Sequence, residues 1–214
     1  MSRRTADEVR RQIIEAADRL FYSTGLDQIS MEAIAAEASL TKRTLYNYYP
    51  SKDQLIAGWA ARRRVSQLGH WSRYLDASTG VPSEGLLAIF QELANSARDR
   101  RWKGCEFTWL AAELAGFPDH PALTVATDHK LDVEGKLARF FKAHEIENPD
   151  FLAKTVLVLY DGAVSHILIH KDPRYAMTAG KAALDLLRCA ASGKCAAGVG
   201  IPERASDALA LTSG

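Results

Sequence analysis

Hydrophobic residues recur every three to four positions along most of the chain, which is the period of an amphipathic α-helix. The first such stripe runs from Val9 through Ile13 to Leu20, and Gly25 follows it as a residue that commonly ends a helix. Strand-like alternation of polar and apolar residues does not persist in the sequence. The pattern therefore predicts an all-α protein of about nine helices.

The first fifty residues contain two short helices joined by a tight turn. Ser30 can cap the first of them, at 31–38, and Thr41 can cap the second. Pro50 disfavours helical geometry at the residue before it and so closes the second helix. With the longer helix that precedes them, they predict a three-helix domain of the helix-turn-helix type over residues 1–50.

A fourth helix, over residues 51–75, is too long to belong only to the small domain. Ser51 can cap it, with Gln54 three residues later. We predict that this helix bridges into a larger helical domain spanning residues 51–191, and that residues 192–214 form a C-terminal tail. The remaining helices are expected at 83–100, 102–116, 119–144, 149–170 and 174–191.

The charge distribution points to a basic surface in the first part of the chain. The 214 residues are 47% hydrophobic and 25% charged, with a net charge of only +1. Residues 1–64 nevertheless hold eleven Lys/Arg against eight Asp/Glu, and from Ala38 to Arg64 six basic residues accompany one acid, Asp53. Such a surface is typical of a nucleic-acid contact, and it also occurs on an ordinary solvated face.

The helix that follows Thr41 carries side chains suited to DNA. Leu45 is its one plain aliphatic anchor, so most of the helix is predicted to face outward. Side chains near the start of such a helix reach base edges in the major groove. Lys52 begins the next helix, where unpaired amides and the helix dipole favour an anion. The candidate DNA-binding residues are Thr41, Lys42, Arg43, Thr44, Tyr46, Asn47, Tyr48 and Lys52.

An ordered set of motifs in this part of the chain matches a known family. The motifs are Ala17-Asp18-Arg19-Leu20-Phe21 with Gly25, Ile29-Ser30-Met31 with Ile34-Ala35, Leu45-Tyr46 with Tyr48-Tyr49, and Ser51-Lys52 with Leu55. Through them, residues 6–58 resemble the DNA-binding domain of the TetR family of bacterial transcriptional regulators. The resemblance implies that Tyr46 and Tyr48 touch the DNA backbone and that Lys52 binds a phosphate. It also implies a larger helical domain for ligand binding and dimerisation.

Two positions depart from the family pattern. Ser39 lies in the turn before the third helix, where relatives often carry Gly, and a left-handed backbone costs Ser more than Gly. Arg43 stands where many relatives have a small residue. The sequence preference of this protein is therefore expected to differ from theirs.

A homodimer that responds to a ligand is the expected assembly. One helix-turn-helix reads one half-site, so a two-fold dimer should hold two of them about 34–36 Å apart. The helix at 149–170 is apolar on nearly every face and that at 174–191 is rich in small residues, which fits either a dimer seam or an intramolecular core. From the segment that the family's pocket usually includes, the candidate ligand-binding residues are Phe107, Trp109 and Glu113.

Other chemistries have less support in the sequence. His166 and His170 have a spacing that suits a metal, but the Glu of a metalloprotease motif is missing, and Cys105 is a candidate thiol sensor. The sequence contains no Walker loop, dinucleotide fingerprint or nucleophile elbow. We therefore expect no enzyme activity, no cofactor and no metal site.

The predicted function is that of a sequence-specific DNA-binding regulator, a repressor released from its operator by a small molecule. The alternatives are a ligand-independent DNA-binding regulator and a helical metal- or thiol-dependent enzyme. We expect a cytoplasmic protein without a membrane partner. The apolar runs are shorter than a membrane span, and the sequence has no signal-peptide pattern. Its three Cys, an odd number without paired spacing, suit a reducing compartment. The expected partners are double-stranded operator DNA, a second copy of the chain and a small-molecule ligand.

Overall fold

The computed structural model describes residues 5–75 and 81–192, and the regular elements in these two ranges are nine α-helices. The predicted all-α class and the predicted helix count are confirmed. Of the predicted C-terminal tail, residues 193–214 lie outside the described residues. The helices are α1 (Ala6–Thr24), α2 (Met31–Glu37), α3 (Lys42–Tyr48), α4 (Lys52–Leu75), α5 (Pro82–Ser96), α6 (Glu106–Glu113), α7 (Pro121–Ala143), α8 (Pro149–His170) and α9 (Arg174–Ala191).

Side-chain caps fix the starts of the first three helices. Thr5 and Glu8 form a capping box at the start of α1, in which the Glu8 carboxylate accepts a hydrogen bond from the Thr5 amide at 2.7 Å. The hydroxyls of Ser30 and Thr41 each accept a hydrogen bond at 3.1 Å from the amide three residues later. α1 ends at Gly25, whose φ of 96° favours glycine. The predicted caps of α2 and α3 and the predicted stop of α1 are confirmed.

The turn between α2 and α3 keeps a left-handed conformation although it lacks glycine. Ser39 has a φ of 50°, which costs a residue with a Cβ about 1–2 kcal/mol. The Gln12 side chain donates a hydrogen bond to the Ala38 carbonyl, and the Leu40 amide donates to Ala35 at 2.8 Å. Because these bonds hold both sides of the turn, the serine is accommodated as local strain.

One buried cluster joins α1, α2 and α3 to the front of α4. At its centre are Phe21, Ile34, Leu45, Leu55 and Trp59, none of which is more than 1% exposed. The cluster continues into α6 and the start of α7. The first three helices and the larger helical part therefore share a core, and the domain division after residue 50 stays a prediction.

The larger part of the molecule is built on α4 and four long helices. α4 packs along α7, α8 packs between α7 and α9, and α9 also packs on α5. Leu86, Phe90, Leu137, Phe141 and Ala183 are fully buried where these helices meet. The long α4 thus contacts both the first three helices and the larger bundle.

The connection between α5 and α6 is longer than predicted. α5 ends at 96, four residues before its predicted end at 100. α6 begins at 106, four residues after its predicted start at 102. The Asp99 carboxylate accepts a hydrogen bond from the Arg101 amide at 2.9 Å, and Gly104 has a φ of 83°. Because a helix includes neither feature, residues 97–105 form an irregular segment instead.

α8 combines a buried face with an exposed apolar face. Phe151, Val158 and Ile169 point outward, with 59%, 66% and 70% of their surface exposed. By length and composition alone, the helix could cross a membrane. This is weak support for a membrane span, because core helices of soluble proteins meet the same criterion. An exposed apolar face of this kind is a candidate contact surface.

Candidate DNA-binding surface and ligand cavity

Leu45 divides α3 into an anchored face and an outward face. Its side chain is 0% exposed within the first core cluster, while Lys42, Arg43, Tyr46 and Asn47 are exposed. The prediction that most of α3 faces outward is confirmed. The helix therefore presents basic, aromatic and amide side chains on a surface held in place by one buried leucine.

Lys42 is ion-paired on this surface. Its ammonium contacts the carboxylate of Glu32 on α2 and lies 5.7 Å from the centre of the Tyr46 ring. The hydrogen bond between the two side chains raises the pKa of Lys42 and lowers the pKa of Glu32. Lys42 thus stays protonated at neutral pH, and a DNA phosphate would have to compete with Glu32 for it.

Lys52 lies at the start of α4 beside the connector between α1 and α2. Its ammonium donates a hydrogen bond to the Asp27 carbonyl at 3.1 Å. The Ser51 hydroxyl caps α4 by accepting from the Gln54 amide at 3.2 Å. A cation next to a capped helix start, where amides and the helix dipole point outward, is chemically suited to an anion.

Three further candidate residues, Thr41, Thr44 and Tyr48, lie near the two ends of α3. Thr41 and Thr44 are hydrogen-bonded to each other through their hydroxyls at 2.8 Å at the start of the helix. Tyr48 is half-buried, and the guanidinium of Arg10 lies 5.6 Å from the centre of its ring. These contacts orient side chains at both ends of the outward face.

Tyr49 packs inward against α4. Its ring covers Gly58, where an added Cβ would lie 2.7 Å from the ring carbon Cε1. Burial raises the pKa of the Tyr49 hydroxyl. The close approach of α3's end to α4 therefore depends on the missing side chain at Gly58.

A cavity of about 360 Å³ lies in the larger helical part, at the low end of the usual range for small-molecule sites. Its wall combines aromatic, apolar and polar side chains from α4 to α8 and from the irregular segment before α6. The lining residues are Arg63, Ser66, Gln67, His70, Trp71, Arg73, Glu92, Leu93, Ser96, Trp102, Gly104, Cys105, Glu106, Phe107, His129, Lys130, Val133, Leu157, Tyr160 and Val164.

Charged groups of the cavity wall are paired within the chain. The Arg63 Nε donates to the buried Glu106 carboxylate at 2.7 Å, and Arg63 also lies 3.8 Å from Asp18 on α1. The Lys130 ammonium contacts both oxygens of Asp161, at 2.6 and 2.7 Å. The contacts of Arg63 connect the cavity wall on α4 and α6 to α1.

His129 on α7 is a buried polar residue of the wall, and one of its ring nitrogens has no hydrogen-bond partner within the described residues. It is 4% exposed, and its Nδ1 has no hydrogen-bond partner within the described residues. Its ring stacks on Phe107, with 3.8 Å between ring centres. Burial, together with the positive charges of Lys130 and Arg64, lowers the pKa of His129 to about 4. The imidazole is therefore neutral at physiological pH.

The three predicted ligand-binding residues lie in different surroundings. Phe107 lines the cavity. Trp109 is half-buried and packs edge-on against Trp59, with 6.2 Å between ring centres, in the core cluster beside the cavity. Glu113 is exposed at the end of α6. Of these three residues, only Phe107 is among the lining residues of the 360 Å³ cavity.

Sequence reasoning missed His129, although a signal for it was present. Ala126, His129 and Val133 follow the helical period, so the histidine occupies an apolar position in the buried stripe of α7. A titratable residue in such a stripe is a buried polar group, whose hydrogen-bonding partners therefore need to be identified. Its stacking partner, Phe107, could not be identified without the packing of α6 on α7.

The sequence offered His166 and His170 as candidates for metal binding and Cys105 as a candidate thiol sensor. The rings of His166 and His170 stack on each other with 5.6 Å between centres, and both stack on Tyr175 at 5.1 Å. Within residues 5–75 and 81–192, no group of three or more His, Cys, Asp or Glu side chains could hold a metal ion. Cys105 lines the cavity at the start of α6.

Comparisons with known proteins fit this architecture. The family model described as "Bacterial regulatory proteins, tetR family" matches residues 13–58. The HTH-type transcriptional regulator YjdC of Escherichia coli K12 is 25% identical over 182 residues, which are 85% of this chain and 94% of that protein. The HTH-type transcriptional regulator TtgR of Pseudomonas putida is 34% identical over 121 residues, 50% of this chain and 57% of that one.

Solved structures extend the likeness to the whole fold. A TetR-type transcriptional regulator from Streptomyces avermitilis aligns with a TM-score of 0.71 and 26% identity, over 84% of this chain and 98% of that one. A TetR-family regulator from Streptomyces coelicolor, SCO4454, aligns with a TM-score of 0.70 and 22% identity, over 86% of this chain and 96% of that one. At this identity the likeness is evidence for the fold and not for the function.

Proposed function

We propose that the chain is a DNA-binding transcriptional regulator of the TetR family, and that it is a repressor released from its operator by a small-molecule ligand. Like the relatives that it matches, which are named transcriptional regulators, it is a regulator and not an enzyme. The observation that carries the proposal is the outward face of α3, where exposed basic and aromatic side chains are held above a fully buried Leu45.

On this surface, we assign different roles to the side chains of α3 and α4. Arg43, near the start of α3, reads base edges, because an arginine there can bind guanine O6 and N7 together. Lys42 exchanges Glu32 for a DNA phosphate, and Lys52 binds a phosphate at the start of α4. Thr41, Thr44, Tyr46, Asn47 and Tyr48 complete the groove-edge and backbone contacts.

The cavity favours a ligand-responsive regulator over a ligand-independent one. A closed core would leave no place for a small molecule, whereas about 360 Å³ lies among α4, α5, α6, α7 and α8. Its wall contains Arg63, which contacts both Glu106 on α6 and Asp18 on α1. Asp18 in turn accepts a hydrogen bond from the Trp59 indole at 2.7 Å. A ligand that moves α6 thus changes contacts that position the DNA-binding helices.

We infer that the working form is a two-fold homodimer in the cytoplasm. Regulators of this family bind operators as dimers, and one copy of α3 reads only one half-site. The exposed apolar face of α8, with Phe151, Val158 and Ile169, is suited to pack on its equivalent in a second copy. Ligand binding would then favour a dimer whose two α3 helices have the wrong separation for the operator.

Selection of bound fragments from the native genome, followed by fluorescence anisotropy with the selected duplex, tests the DNA assignment. Lys52→Ala should weaken binding to all duplexes and reduce its salt dependence, because one phosphate contact is lost. Arg43→Ala should change which fragments are selected. Lys142→Ala, an exposed lysine of α7, is the matched control and should leave both properties unchanged. Unchanged operator binding in both the Lys52 and the Arg43 variants would refute the assignment.

A further inference from the structure

We propose that His120 is a positioning residue of the DNA-binding surface, whose Nε2–H donates a hydrogen bond to the Asp53 carboxylate when a DNA phosphate is bound beside it at Lys52. This inference rests on the proposed binding of DNA at the start of α4 and adds a residue from the larger helical part to that surface. His120 directly precedes α7, and its side chain is 6% exposed. Asp53 lies in the first turn of α4, next to Lys52.

The cap of α7 determines which nitrogen of His120 is the donor. The Ala122 amide donates a hydrogen bond to Nδ1 of His120 at 3.1 Å, so this nitrogen is an acceptor. In a neutral imidazole with Nδ1 as acceptor, the proton is on the other nitrogen. Nε2 of His120 is therefore a donor, and the hydrogen bond of the cap fixes the direction in which it points.

The Nε2 donor is buried and has no hydrogen-bond partner within residues 5–75 and 81–192. Because it is closed off from solvent, a group of the protein has to pair with it. Asp53 Oδ1 lies 3.4 Å from Nε2, which is close but does not form a hydrogen bond in this geometry. The Asp53 side chain is 63% exposed and is free to rotate towards the ring. Since an unpaired buried donor is unfavourable, a state that completes this bond is stabilised by it.

Binding of a phosphate at Lys52 favours the completed bond. In the free protein, the Lys52 ammonium donates to the Asp27 carbonyl at 3.1 Å. A phosphate that takes this ammonium as its partner brings a negative charge close to the neighbouring Asp53 carboxylate, and the two like charges repel each other. A hydrogen bond from His120 holds the carboxylate on the α7 side and stabilises its charge. The bond is therefore worth more with DNA bound than in the free protein.

The same contact joins the DNA-binding surface to the helices of the ligand cavity. Residues 114–120 connect α6 to α7 and lie across a second cavity, of about 470 Å³, from the start of α4. The helices on either side of this connection contribute Phe107 and Lys130 to the wall of the 360 Å³ cavity. A shift of α6 or α7 that moves this connection thus changes the distance between His120 and Asp53.

A double-mutant cycle on the full-length protein tests the inference by fluorescence anisotropy with the selected operator duplex. His120→Asn keeps a side-chain oxygen that can cap α7 but is too short to reach Asp53, and Asp53→Ala removes the acceptor. His120→Asn should weaken operator binding about tenfold in the wild-type background, as expected for a hydrogen bond to a charged group. In the Asp53→Ala background the same change should cost less than about twofold. Equal losses in the two backgrounds would overturn the inference.

The same cycle on urea unfolding of the DNA-free protein separates a positioning role from a structural one. The cycle cancels the packing that each single change removes, so it reports the contact alone. The coupling should be present in operator affinity and absent from unfolding, because the bond is completed with DNA bound. Coupling in unfolding alone would overturn the inference. The matched control is His144→Asn at the opposite end of α7, which should leave operator affinity unchanged in both backgrounds.

Nuclear magnetic resonance of the wild-type protein with isotope-labelled histidine gives a test that does not depend on the folding of a variant. The Nε2–H proton signal of His120 should move downfield when operator duplex is added, and an unmoved signal would overturn the inference. Operator binding by the wild-type protein tests the DNA assignment alone. Binding with an additive cycle would overturn the role of His120 and leave the DNA assignment in place, whereas no binding to any duplex would refute both.

Discussion

Truncation of Leu45 to Ala tests whether one buried side chain holds α3 on the protein. Leu45 is 0% exposed, so the change removes the isopropyl end of a fully buried side chain. At about 0.8 kcal/mol for each of about three lost carbons, the transfer free energy is about 2.4 kcal/mol. The space left behind adds to this loss, and Leu→Ala changes in well-packed cores reach about 3–5 kcal/mol. We expect the free energy of unfolding to fall by about 3 kcal/mol.

Urea unfolding followed by far-ultraviolet circular dichroism measures this loss. Wild type and variant are compared at one protein concentration, because the stability of a dimer depends on concentration. The matched control is Tyr46→Ala at the neighbouring position, where the side chain is 38% exposed and the expected loss is below about 1 kcal/mol. Equal losses in the two variants, or less than about 1 kcal/mol for Leu45→Ala, would show that Leu45 does not anchor α3.

Three further substitutions probe the cavity wall and α4. Glu106→Gln should lower the free energy of unfolding in urea by about 1–3 kcal/mol, because it removes the buried carboxylate partner of the part-exposed Arg63; a neutral effect would contradict the pairing. His129 has a pKa of about 4 when folded and about 6.5 when unfolded, so its stabilising contribution is complete above pH 6.5 and is lost as the pH falls through 4. Wild type should therefore lose about 2 kcal/mol more than His129→Phe between pH 7 and pH 4.5, and equal losses would refute the low pKa. Gly58→Ala should destabilise the protein by about 1 kcal/mol because its Cβ meets Tyr49, whereas in a Tyr49→Ala background the change should stabilise by up to about 1 kcal/mol, since Ala favours the helix over Gly; a loss that persists there would rule out this clash.

The sequence predicted the features that depend on local signals. Ser30 and Thr41 are capping residues whose own helices begin at the next position, so the pattern of side chains and turn residues identifies them. Leu45 was identifiable as the anchor of α3 because it is the plain aliphatic residue of a polar helix. The family resemblance indicated that this surface binds DNA, because the motifs between residues 6 and 58 are specific in order and spacing.

The features that sequence reasoning missed depend on contacts between distant positions. Arg63 and Glu106 are 43 residues apart, and the wall of the cavity brings them together. The choice of Glu113 as a ligand residue followed a family segment, but the end of α6 turns that side chain outward. His129 was recognisable only as a polar residue in an apolar stripe. The lack of a partner for its buried Nδ1 within the described residues depends on which side chains α6 places against α7.

Hydroxyl-radical footprinting on a selected genomic operator tests most directly whether α3 is the DNA-reading helix of a two-fold dimer. The structure and the dimer proposal together predict two protected blocks on one face of the duplex, related by two-fold symmetry. Their centres should lie about 34–36 Å apart, one turn of DNA. Both blocks should be lost in Arg43→Ala at the same protein concentration. A single block, or uniform protection of every fragment regardless of sequence, would contradict the assignment of α3 as the reading helix of a dimer.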